Sequence, residues 1–96
     1  MIIEPMTVSQ VLTLATDSVT LINSINTNAS AEPAVDGMTQ VQINNIVDKN
    51  IRHLETVLLL TPANEGDNTP DVKGSSEDKS SYTTAIATGK AYIEAN

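Results

Sequence analysis

Apolar residues recur at three- and four-residue spacing through two long stretches of this chain and, more sparsely, through a third. The clearest stretch runs from Thr39 to Leu60, where Ile43, Ile46, Val47, Ile51, Leu54, Val57 and Leu58 share one face of a 3.6-residue helix. Val41, Leu59 and Leu60 fall off that face, which is more apolar surface than one neighbouring helix needs. In the first stretch Val8, Val11, Leu12, Leu14, Ala15, Val19, Leu21, Ile22 and Ile25 spread over a wide arc, as expected of a helix touching two neighbours. Strict two-residue alternation fails there at Val11-Leu12 and Leu21-Ile22, so the period decides for helix although Thr and Val are only fair helix formers. In the last stretch Tyr82, Ala85, Ile86, Gly89, Tyr92 and Ile93 make a narrower face. Gly89 inside it costs about 1 kcal/mol of helix propensity and lets another backbone come close. The simplest use of Gly89 is a crossing over the central helix.

Boundary signals agree with these periods. Thr7 with Gln10, and Thr39 with Gln42, have the spacing of a capping box, in which each side chain satisfies an amide the helix start leaves unpaired. Met6 with Val11, and Met38 with Ile43, are placed to close hydrophobic staples. The polar join around Pro33 and Gly37, and the stop at Thr61-Pro62, separate the helices. The expected architecture is all-α: a single domain, 1–96, holding a small bundle of three helices over about 7–26, 39–60 and 76–95. An exposed, mobile loop over 61–75 precedes the third helix, and residues 1–5 form an arm that could tuck Ile2 and Ile3 against the body.

Composition narrows the function classes. A chain of 96 residues without Trp, Phe or Cys must build an aliphatic core with no disulfide, no thiolate chemistry and no zinc site built on sulfur. Twelve carboxylates face five Lys and Arg, and no basic residue precedes Lys49. Such a surface repels phosphate backbones and anionic lipid, so neither direct nucleic-acid binding nor membrane binding is expected, whereas a basic partner surface would suit it. The start of the chain lacks a basic segment followed by an apolar run, so no secretion signal is expected, and Asn28-Ala29-Ser30 is then a glycosylation pattern without consequence.

Candidate chemistry is sparse, and no cofactor is expected. His53 is the lone His, with no second one to share a metal or pass a proton, and no Ser-His-Asp order, phosphate loop or HExxH accompanies it. Glu65, Asp67 and Asp71 lie in the loop without calcium-loop spacing, so no metal site is expected either. Asp48 and Arg52 form an i,i+4 pair. Asn50 lies in the middle of the central apolar arc. It is either a polar device that fixes register or oligomer state, or an Asn satisfied locally or left in water. Against the central helix the third is a thin lid, with Ile86 and Ile93 as its only large aliphatics. Apolar surface around Leu54, Leu58 and Leu59 is therefore expected to remain for a partner, with Asn50, Gly89 and Tyr92 completing the candidate interface.

The run RHLETVLLL, ending at Leu60, and the closing TAIATGKAYIEAN resemble small helical proteins encoded by tailed bacteriophages. The resemblance implies a setting, the virion or the infected bacterial cytoplasm, and no site residues. The expected function is a non-catalytic structural or adaptor protein that works through a protein partner or as a homo-oligomer. An acidic inhibitor or nucleic-acid mimic binding a basic host factor is the alternative, and a small enzyme gathering His53 with carboxylates the third.

Overall fold

The computed structural model describes residues 6–27 and 37–96. Three helices follow one another: α1 (Val8–Thr27), α2 (Gln40–Leu59) and α3 (Ser80–Ala95), with no strand among the described residues. The arm carrying Ile2 and Ile3, the Asn28-Ala29-Ser30 pattern and the Pro33 join lie outside them.

Both capping boxes form. Thr7 N–H donates to Gln10 Oε1 at 2.8 Å while Gln10 N–H donates to Thr7 Oγ1 at 3.1 Å. Thr39 and Gln42 repeat the exchange at 2.9 and 3.2 Å. Each box gives partners to two amides that would otherwise have none. Met6 and Met38 nonetheless stay exposed, so the staples expected beside the boxes bury little.

Chain direction follows from two tyrosines. Tyr82, early in α3, donates its hydroxyl to the Leu12 carbonyl, early in α1, at 2.9 Å. Tyr92, late in α3, receives Gln40 Nε2 from the first residue of α2 at 3.0 Å. So α1 and α3 run parallel and α2 runs against both, with every pair of helices in contact. Between them Ala15, Ile22, Ile25, Val47 and Leu54 are almost wholly removed from water. Each large aliphatic among them contributes about 1.5–3 kcal/mol of transfer free energy.

The third helix covers the hairpin differently from the expectation. Tyr82, Ala85, Gly89 and Tyr92 are its buried residues, while Ile86 and Ile93 sit at the edge, half-buried. The rings supply the bulk that the aliphatics were expected to supply, and both hydroxyls find partners, which makes their burial affordable. Gly89 sits where α3 crosses α2, as expected. A Cβ there would come within 2.8 Å of Ile51 Cγ1 and 3.2 Å of Val47 Cγ1, so the crossing distance depends on the missing side chain.

The start of the third helix differs. Residues 76–79 are not helical, and α3 begins at Ser80, whose N–H donates to Asp78 Oδ1 at 2.9 Å. The loop over 61–75 is hydrogen-bonded to itself and to the bundle. Asp67 Oδ2 accepts Ala63 N–H at 2.9 Å, and its Oδ1 accepts the N–H and the hydroxyl of Thr69 at 2.9 and 2.7 Å. Gly66, at φ 88°, closes the turn in which Asp67 N–H reaches the Asn64 carbonyl. Asp71 Oδ1 takes Gly74 N–H, and Lys73 N–H donates to the Leu60 carbonyl at the end of α2. These bonds seat Val72, fully buried, against the bundle core.

Candidate functional site

The six residues expected at an interface fall into two groups. Leu54 is fully buried in the chain's own core, Tyr92 is 4% exposed and Gly89 is spent on the α2–α3 crossing. None of the three is free to meet a second molecule, because each is buried within the chain's own bundle. Asn50 is half-buried and donates through Nδ2 to the Ile46 carbonyl of its own helix at 2.8 Å, so its amide is satisfied locally. Leu58 is half-buried against the core. Leu59 alone of the six is on the surface, 65% exposed; Val41, at the other end of α2, is 69% exposed and Leu14 of α1 52%. Leu14 had been expected on the inward arc of α1; it stands at the edge of that arc, on the side α3 does not cover.

His53 meets a partner that the spacing of charged residues does not reveal. Its Nδ1 lies 2.8 Å from Ser18 Oγ, across the α1–α2 seam. The signal was available in α1, where Ser18 stands at inward spacing between Ala15 and Ile22, a polar residue on an apolar face. A serine nucleophile needs a base held by a third group and an open approach for substrate. Ser18 is 5% exposed, and no three His, Cys, Asp or Glu residues gather into a metal-binding group among the described residues. The pair works as a bond across the seam: it gives a buried hydroxyl its partner and leaves the imidazole at the surface.

A groove of about 580 Å³ lies between α2 and α3, lined by Asp48, Ile51, Arg52, Glu55, Lys90, Ile93 and Glu94. Its cations are engaged. Arg52 Nε pairs with Asp48 Oδ2 at 2.8 Å, the i,i+4 contact expected from spacing, and Lys90 Nζ bridges the helices to Glu55 Oε2 at 3.1 Å. Exposed pairs of this kind contribute about 0–1 kcal/mol, so they tune the surface without holding the fold.

The loop carboxylates serve the backbone. The Ala63 N–H, then the hydroxyl and N–H of Thr69, hold the Asp67 carboxyl below its ordinary range. Ser80 does the same for Asp78, first through its backbone N–H and then through its hydroxyl. Carboxylates that accept their own chain's amides in this way act as turn and helix-start anchors. No helix among the described residues is long and apolar enough to cross a membrane. Compared with protein-family models, curated proteins and solved structures, the chain matches none.

Proposed function

We propose that this is a non-catalytic structural or adaptor protein that works through protein–protein contacts, self-association foremost. The observation that carries this reading is the division of apolar residues on α2. Ile43, Val47, Ile51, Leu54 and Val57 close the intrachain core, while Val41 and Leu59 on the same helix stay in water. Neither belongs to the core of the monomer, and each supports the reading as an apolar side chain open to a partner. The virion or infected bacterial cell, which the sequence resemblance implies, belongs to the same reading. Light scattering across a concentration series tests it: the mass is expected to rise above the 10.2 kDa of one chain. A monodisperse monomer at every concentration removes self-association.

A further inference from the structure

We propose that the partner is a second copy of this chain, laid antiparallel along the outer edge of α2 where Val41, Asn45, Asp48, Arg52, Glu55 and Leu59 stand in one row. The inference rests on the self-association reading above and adds its surface, direction and register.

The row is set by spacing. Its six residues follow at alternating intervals of four and three, which keeps them on one strip of the helix, apolar at its two ends and polar between. Three of them, Asp48, Arg52 and Glu55, line the open groove between α2 and α3 together with Ile51 and Ile93. The row is presented to water as well: Val41 is 69% and Leu59 65% exposed, and the side chains of Arg52 and Asp48 are 77% and 47% exposed.

The row is also complementary to itself when turned end for end. Val41 and Leu59 are equally far from position 50, and so are Asp48 and Arg52, and Asn45 and Glu55. A two-fold axis there sets Val41 of one chain against Leu59 of the other at both ends. In the middle Asp48 and Arg52, already paired within each chain at 2.8 Å, face the second copy's Arg52 and Asp48, so that four charges of alternating sign meet. Glu55, already held by Lys90, faces an amide and meets no second carboxylate. An antiparallel isologous contact brings these positions together in pairs, so what it requires of the patch is that the paired residues suit one another. Charge argues the same way. A chain of net charge −7 repels its own copy over most of its surface. Here the acidic residue is answered by a basic one at the symmetric position.

Because the chain contains no Cys, single cysteines report the register cleanly. Val41→Cys and Leu59→Cys chains, mixed and mildly oxidised, are expected to give a disulfide-linked heterodimer. Either variant alone should not, because its two thiols would stand about 27 Å apart along the helix. Asp48→Arg and Arg52→Asp are each expected to weaken self-association by roughly a hundredfold, since each sets like charges opposite one another, and an equimolar mixture should restore it as a heterodimer. Circular dichroism on each variant verifies that these surface changes leave the helices intact. Self-association without the 41–59 link and without rescue on mixing overturns the proposed register while leaving the broader reading standing. A wild-type chain that stays monomeric overturns both.

Discussion

The two sides of α2 are made from similar residues and do opposite things. On the inward side Val47, Ile51 and Leu54 are almost inaccessible to water, closed in by α1, α3 and the loop residue Val72. On the outer edge Val41 and Leu59 are aliphatics of the same kind, yet about two-thirds exposed, with Asp48, Arg52 and Glu55 between them. One side holds the monomer together; the other makes only exposed ion pairs within the chain, Asp48 with Arg52 and Glu55 with Lys90. Hydrophobicity alone does not separate a core from an interface. What separates them is whether the rest of the chain is long enough, and placed, to cover the surface.

Substitutions that break the inward side should be the most damaging. Leu54→Ala is expected to lose about 3–5 kcal/mol, the cost of deleted methyl groups plus the cavity left behind, measured by urea or thermal unfolding. Val41→Ala on the outer edge should stay within about 0.5 kcal/mol in the monomer. Equal losses at the two positions would erase the distinction between the sides.

Gly89→Ala comes next. The new Cβ would press on Ile51 at 2.8 Å, and Ile51 is both β-branched and buried. Overpacking costs about 1–3 kcal/mol and the gain in helix propensity returns about 1 kcal/mol. A net loss of about 1 kcal/mol is expected in the unfolding free energy. A variant more stable than the wild type would show that α3 moves away from α2 without penalty.

Asn50→Leu sharpens the contrast with a small effect of the other sign. Asn50 bonds its own helix and lies about half a helical turn from the outer row. Leu is the better helix former and buries more apolar area, so the melting temperature should rise slightly, by up to about 1 kcal/mol in stability. Self-association should be unchanged, and a change in mass would return Asn50 to the role of a register device.

How much of this could be read in advance depended on how local each cause is. Thr7 with Gln10, and Thr39 with Gln42, were legible because a capping box is complete within four residues. Gly89 was legible because glycine on an otherwise apolar helix face costs stability unless something approaches it. Val72 was not, since it stands alone between Pro70 and Gly74 and owes its burial to the Asp67 and Asp71 turns that aim the loop inward. Leu54 and Leu59 looked equivalent as interface residues. Only the assembled bundle hides one in its core and leaves the other in water. The Ser18–His53 bond was missed for the same reason: it joins helices whose relative rotation no single stretch of sequence specifies.

The smallest expected effect lies in the loop, away from both sides of α2. Asp67 and Asp78 have carboxyl groups held below their unfolded values by backbone and hydroxyl donors. Their contribution is therefore present above the ordinary carboxylate range and is lost as pH falls through their lowered folded values. Asp67→Asn should make thermal stability less sensitive to acid across that window, while association at neutral pH stays as it was. An unchanged acid profile would show that the turn bonds contribute nothing to folding.

Leu59→Lys places a charge at one end of the outer row without touching the buried core. Sedimentation velocity and thermal melting on the same samples separate association from folding. The wild type is expected to sediment as a dimer, and Leu59→Lys as a folded monomer with the same helical content. If Leu59→Lys unfolds the chain, or if it leaves sedimentation unchanged, the outer edge of α2 is not the association surface.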